Sequence, residues 1–198
     1  MKHLIVMQNL SVNEIFCSLQ GEGARAGELS IFIRLSGCNL RCSFCDTDFT
    51  ISKKISIEQI ANLISGYGAR WIVWTGGEPT LQLNDDIIFY FKQLGYKQAL
   101  ETNGTNSIPN GLDYICVSPK TTGDFSDLGN VNEVRIAVSQ GDIVPDFCNL
   151  PIADHYFLSP IFSGDAINFL NLNYCIETIK DNNIWKLSIQ QHKIWNVQ

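Results

Sequence analysis

The chain has 198 residues, 45% hydrophobic and 17% charged, enough to bury a sizeable core as one domain over residues 1–198 and too apolar for disorder. Its net charge of -6 argues against a nucleic-acid backbone as the main partner, which would need a basic surface. The longest apolar runs, such as Ile87-Ile88-Phe89-Tyr90-Phe91, are far shorter than a bilayer span, and the start MKHLIVMQNLSVNE shows no long apolar core or small-residue cleavage site, so a cytoplasmic protein with no membrane contact is expected.

In chain order, runs rich in Ile, Val and Phe predict strands at 12–18 and 30–35. Ile57, Ile60, Ala61 and Ile64 then recur at helical spacing, and Ser56 with Gln59 forms a capping box in front of them. A strand follows at 70–75. Asn84 can cap a second helix, with Asp85 and Asp86 at the positive end of its dipole. Ile87, Ile88, Phe91 and Leu94 give that helix an apolar face, and Gly95 ends it. Further strands are expected at 98–102, 114–118, 133–138, 156–159 and 185–189. A third helix from about residue 165 to 180 should place Ile167, Leu170 and Tyr174 on one side.

Strand-then-helix alternation predicts an α/β fold with an open parallel sheet and about three helices outside it. A complete eightfold barrel takes ~250 residues, so an incomplete TIM-type barrel is expected. Ligands of such sheets gather where the strands end. Gly37-Cys38, Gly76-Gly77-Glu78, Asn103-Gly104, Pro119-Lys120 and Pro160 all follow expected strands and make a ring of candidate site residues.

Seven cysteines do not resemble a disulfide framework. Cys17, Cys116, Cys148 and Cys175 are scattered and are expected to pack as small buried hydrophobes. Cys38, Cys42 and Cys45 crowd into GCNLRCSFCDT at spacing C-x3-C-x2-C, which in a reducing compartment points to metal binding. A zinc knuckle needs a second pair of ligands, and His3, His155 and His192 are isolated. A redox pair, Cys42 with Cys45, would leave Cys38 unexplained. Three thiolates do suit a four-iron, four-sulfur cluster whose fourth iron stays open to an outside ligand.

Cys38, Cys42 and Cys45 after a strand, followed by Thr75-Gly76-Gly77-Glu78-Pro79, resemble the signature of the radical S-adenosylmethionine (SAM) superfamily. There SAM occupies the open iron and is cleaved by one electron to a 5'-deoxyadenosyl radical. Ser18-Leu19-Gln20-Gly21-Glu22-Gly23, Arg34, Cys45-Asp46-Thr47, Glu101-Thr102-Asn103-Gly104, Ser118-Pro119-Lys120 and Leu187-Ser188-Ile189-Gln190-Gln191-His192-Lys193 narrow the likeness to the 7-carboxy-7-deazaguanine synthases, over essentially the whole chain.

The resemblance implies a substrate, 6-carboxy-5,6,7,8-tetrahydropterin, and a product, 7-carboxy-7-deazaguanine, made with loss of ammonia for queuosine and related deazapurines. It implies that Leu19, Gln20, Gly21 and Glu22 read the pterin edge, that Arg34 pairs with the substrate carboxylate and that Thr75 touches substrate. It implies Mg²⁺ on the Thr47 hydroxyl. SAM would be held by Gly77, Glu78, Glu101, Ser118, Pro119, Lys120, Ser159, Pro160, Ile161 and Phe162, with Glu78 complementing the SAM ammonium. A flavodoxin or ferredoxin-type reductant and a homodimer are implied as well. Ser159 stands where the family leads one to expect glutamine before the proline, and the chain ends in Gln198 where a proline is common.

Two other functions share part of the pattern. An activase for a glycyl-radical enzyme would keep the cysteine loop and the glycine pair. A non-catalytic metal-binding module would keep the thiols alone.

Overall fold

The computed structural model describes residues 8–48 and 51–198; His3 and the rest of the N-terminal stretch 1–7 lie outside them. The described residues form two compact units. The first takes the chain up to Ser18, Leu29–Thr102 and Asn106–Tyr114, and the second takes Leu19–Glu28, Asn103–Thr105 and Ile115–Gln198.

The first unit holds β1 (Asn9–Leu19), β2 (Leu29–Leu35), β3 (Lys53–Ser56), β4 (Trp71–Gly76) and β5 (Lys97–Thr102), with α1 (Ile57–Ile64) and α2 (Asp85–Gln93) between strands. The strand order is β3-β1-β2-β4-β5. β2, β4 and β5 run parallel, with Ile33 beside Trp74 and Trp74 beside Leu100. The period of two along each strand sorts side chains onto two faces. One face buries Ile31, Ile33, Leu35, Ile72, Trp74 and Leu100 against Ile57, Ile60 and Ile64 of α1 and Ile87, Ile88 and Phe91 of α2. The other carries a smaller apolar cluster in which Phe16 stacks on Phe32 at 5.0 Å beside Val73 and Ala99.

Both helices begin as the sequence predicts. The Ser56 hydroxyl accepts from the Gln59 amide while the Gln59 side chain accepts from the Ser56 amide. The Asn84 side chain accepts from the Ile87 amide at 3.0 Å. Leu94 departs from expectation: it lies past the last turn of α2 and is half exposed. β3 is a strand that the sequence reading missed. Its two lysines face solvent, and it pairs antiparallel with β1 at the edge of the order, where lysine is a usual edge residue.

The second unit holds β6 (Tyr114–Val117), β7 (Asn130–Val138), β8 (Ile152–Pro160) and β9 (Trp185–Leu187), in the order β6-β7-β8-β9 and all parallel. α3 (Phe169–Asp181) connects β8 to β9, and the short α4 (Gln191–Trp195) follows. α3 starts later than expected, at the Asn168 cap, whose side chain accepts from the Leu170 and Asn171 amides. Its buried positions are Asn171 and Cys175, while Leu170 is exposed. The rotation follows from Asn171, whose amide accepts from Gln140 N–H and donates to the Ile161 carbonyl. Two connections are thereby fastened to the helix.

Of the scattered cysteines, Cys116 and Cys175 are buried and Cys17 is partly so. Burial pushes the Cys175 thiol up to about 11, which keeps it protonated and inert. Cys148 contradicts the expectation of burial: it is exposed in a turn, where its backbone N–H donates to Asp146 Oδ1 at 3.1 Å and the neighbouring Asp146 carboxylate pushes its thiol pKa up. Among the described residues no helix is long and apolar enough to cross a membrane.

The core of the first unit contains one polar residue that the packing requires. Gln98, fully buried, accepts from the Trp74 indole N–H at 3.0 Å and donates to the Ile88 carbonyl at 2.7 Å. Replacing it by leucine strands both partners, each at a cost of ~1–3 kcal/mol. Gln98→Leu should therefore lower unfolding free energy by roughly 2–6 kcal/mol in denaturant titrations, although it makes the core more apolar.

Candidate functional site

The cysteine loop leaves β2 at Ser36, and its start is fixed by backbone. Gly77 N–H donates to the Leu35 carbonyl at 3.0 Å and Glu78 N–H donates to the Gly37 carbonyl at 2.9 Å. A side chain at Gly77 would collide with the Gly37 carbonyl, and one at Gly76 would strike the Leu35 backbone. Gly76 also sits at φ +129°, a conformation open to glycine. The Gly-Gly pair is thus required by close approach as well as by the turn. Gln82 braces the same base, accepting from Ser11 N–H and donating to the Ser36 carbonyl. At the far end, the Asn13 side chain donates to the carbonyls of Asp48 and Ile51.

Between these anchors the thiols are accessible. Cys45 is exposed, and Cys38 and Cys42 are partly so. Leu40 N–H donates to Cys38 Sγ at 3.4 Å, Cys45 N–H donates to the Cys42 carbonyl, and the Cys45 thiol points to the Thr47 carbonyl. Among the described residues no three Cys, His, Asp or Glu side chains converge as a finished metal cage. The donor set nevertheless suits an iron–sulfur cluster: three soft thiols on one reachable loop, tied down at both ends.

The face of the first unit that carries Phe32 and Val73 turns polar where the strands end. Arg34 Nε donates to Glu14 at 2.7 Å, and Arg34 Nη1 reaches the Thr47 hydroxyl at 3.5 Å. The guanidinium also lies over the Phe16 ring, 5.9 Å from its centre, as cation–π attraction favours. Thr75 pairs with Arg34 across the sheet and donates to Glu101 at 3.2 Å. The structure therefore brings Arg34 to Thr47 and Thr75 to Glu101. Glu14 was not anticipated, although an arginine in the apolar run 31–35 signals an anion nearby.

Glu78 sits at the base of the glycine turn. It is fully buried, and its Oε1 accepts from Thr80 N–H, the Thr80 hydroxyl at 2.6 Å and the Thr102 hydroxyl at 2.7 Å. The carboxylate closes the turn after β4 and ties that turn to the end of β5.

The second unit presents its own group. Gln20 is buried and Glu22 partly so, and the Gln20 side chain accepts from Glu22 N–H. The Gly21 carbonyl accepts from Gln191 N–H, and a side chain at Gly21 would run into the His192 ring. Leu19 ends β1 just before them. Ser118, next to buried Pro119, donates to the Arg135 carbonyl at 2.6 Å and accepts from Lys120 at 2.7 Å. Ser159 and Pro160 close β8 as buried residues, Ile161 N–H donates to Val138, and Phe162 lies under the Lys193 ammonium at 5.5 Å. Glu22 is ion-paired with Arg135, which is also paired with Glu133. Sequence reading missed this pair, although two charges inside an apolar strand carry the same signal as Arg34.

Residues 32–138 match the model of the radical SAM superfamily. The chain is 36% identical to the 7-carboxy-7-deazaguanine synthase of Bacteroides thetaiotaomicron over 94% of its own length and 98% of that protein. It is 39% identical to the 7-carboxy-7-deazaguanine synthase of Neisseria meningitidis serogroup B over 91% of its length and 90% of that protein. The fold matches a crystal structure of QueE from Escherichia coli with a TM-score of 0.72 and 28% identity, covering 93% of this chain and 95% of that one. With relatives of this identity aligned nearly end to end and the cysteine loop fastened against its glycine pair, the chain belongs to the 7-carboxy-7-deazaguanine synthase family of the radical SAM superfamily.

Proposed function

We propose that this chain, acting as one radical SAM domain, converts 6-carboxy-5,6,7,8-tetrahydropterin to 7-carboxy-7-deazaguanine and ammonia. The observation that carries the reading is the polar end of the first unit's sheet, where Arg34 and Thr47 stand together beside the cysteine loop. A cation and a hydroxyl so placed suit a substrate carboxylate with Mg²⁺ bound to it. Family membership brings the [4Fe–4S] cluster and SAM, and the thiols of Cys38, Cys42 and Cys45 are the ligands for the cluster. When bound, cluster and SAM would supply the one-electron radical chemistry that the reaction at C6 of the pterin requires.

The chain itself binds and orients. Glu14 holds Arg34 by Nε, so the guanidinium meets the carboxylate already aimed. Thr75 is fixed by Glu101 for contact with substrate, and Leu19, Gln20, Gly21 and Glu22 take the pyrimidine edge. Gly77, Glu101, Ser118, Pro119, Lys120, Ser159, Pro160, Ile161 and Phe162 would hold SAM. Buried Glu78 contributes indirectly by keeping Gly76 and Gly77 in place. Loss of ammonia alone converts the pterin's composition into the product's, so no stoichiometric oxidant is needed. A flavodoxin or ferredoxin-type protein as reductant, a cytoplasmic setting and a homodimer complete the proposal.

Anaerobic turnover of the reconstituted protein with SAM, Mg²⁺, dithionite and the pterin should yield 7-carboxy-7-deazaguanine by mass spectrometry. Release of 5'-deoxyadenosine with the pterin untouched would contradict the substrate and favour a protein substrate instead. Gly77→Ala should lower turnover about a hundredfold, the cost of a displacement near 1 Å at a reacting centre, because the new methyl group forces the glycine turn off Gly37. Thr47→Val should raise the Mg²⁺ concentration needed for half-maximal rate by about tenfold, the loss of one good ligand contact. Thr47→Ser should stay near wild type.

A further inference from the structure

Along β7 the period of two places Glu133 and Arg135 on one face, opposite Val134, Ile136 and Val138. Both are buried beside Val131, Val134 and Ile136 of the same strand, and Arg135 sits between two carboxylates. Its Nε and Nη2 donate to Glu133 Oε1 at 2.8 and 2.7 Å, which fixes the plane of the guanidinium. Its Nη1 then donates to Glu22 Oε2. Glu133 also fastens the loop backbone: its Oε2 accepts from Ala24 N–H at 3.0 Å. Gly23, at φ +69°, has no room for a side chain because one would enter the Glu133 carboxylate.

Glu22 differs from the two residues behind it. Its side chain is 18% exposed, against 1% for Glu133 and 9% for Arg135. Its Oε2 is held by Arg135, while its Oε1 is approached at 3.5 Å by the Ser159 hydroxyl. Two carboxylates against one guanidinium leave the triad one negative charge in excess, and buried charge of that kind calls for hydrogen-bond donors.

We propose that Arg135 and Glu133 are positioning residues that aim Glu22 Oε1 at the N–H edge of a 2-amino-4-oxopyrimidine ring, and that they thereby set selectivity for a 2-amino over a 2-oxo ring. The inference rests on the reading that Glu22 meets the pterin. A 2-amino group beside a ring N–H offers donors to a carboxylate. A 2-oxo ring keeps the ring N–H but puts an acceptor where the amino donor stood, so Glu22 Oε1 loses one of its two donors and faces a carbonyl oxygen without a proton between them. Without the guanidinium, Glu22 loses the direction in which it is presented.

The test uses reconstituted holoprotein as wild type, Arg135→Met, Arg135→Lys and Glu133→Gln. Four quantities are measured: KM and kcat for the carboxytetrahydropterin, the preference over its 2-oxo (lumazine) counterpart, calorimetric affinity for 7-carboxy-7-deazaguanine, which carries the same ring edge, and SAM affinity. Arg135→Met should weaken product binding and raise KM by about tenfold or more, the size of one charge-assisted hydrogen bond. The 2-amino preference should fall by a similar factor, SAM affinity should hold within about twofold, and Arg135→Lys should recover part of the loss. An unchanged preference, or an equal loss for both rings and for SAM, would overturn the proposal. If Arg135→Met fails to fold, Glu133→Gln, which keeps the side-chain shape, carries the same expectation at smaller size. A wild type that neither turns over the pterin nor binds the product would instead sink the functional reading on which this inference stands.

Discussion

A missing side chain at Gly77 controls the first unit. Because no Cβ intervenes, the turn after β4 lies directly on Gly37, and Glu78 N–H reaches the Gly37 carbonyl. This contact joins the loop that carries three thiols to the strand ends that carry Thr75 and Glu101. It also explains why a fully buried carboxylate is kept at Glu78. The two threonine hydroxyls and one amide that it gathers hold the turn against the end of β5 and compensate for its burial. Rigid anchors with an accessible middle suit a loop that must wrap an inorganic cluster and leave one iron open.

In both units the sheet uses its two faces for different purposes. The face opposite Arg34 packs on α1 and α2 and supplies most of the apolar burial. The face with Arg34 is apolar only as far as Phe16, Phe32 and Val73, then becomes polar where the strands end. On β7 the division is sharper, with Glu133 and Arg135 on one side of the strand and Val134 and Ile136 on the other. Each arginine is held by a carboxylate of its own unit, Arg34 by Glu14 and Arg135 by Glu133. A guanidinium fixed along one edge presents the remaining N–H groups in a set direction, and each unit uses that geometry.

Most of this was legible in the sequence, because the features involved are local. Capping by Ser56 and Asn84, the thiol spacing and the Gly-Gly pair depend on neighbours within a few residues. The α/β class with parallel strands and few helices follows from alternation, and the match to a solved fold over nine-tenths of the chain agrees with it. What was missed depends on distant partners or on length. β3 has two lysines and little alternation, so only its pairing with β1 identifies it. α4, at five residues, is too short to show a period. Leu170 and Leu94 fit their helices' apolar spacing but remain half or more exposed. The inward turn of Glu78 and the Arg135 triad arise from contacts between segments up to 113 residues apart.

The central claim is that this chain would present C6 of a pterin for loss of its hydrogen atom to the adenosyl group of bound SAM. The most direct measurement supplies the reconstituted enzyme with carboxytetrahydropterin deuterated at C6 and follows the label in the adenosyl group. The account predicts deuterium at the 5' carbon, in recovered SAM or in 5'-deoxyadenosine, together with product lacking that atom at its former position. Product formed with no label in the adenosyl group, or an adenosyl group labelled only from solvent, would contradict it.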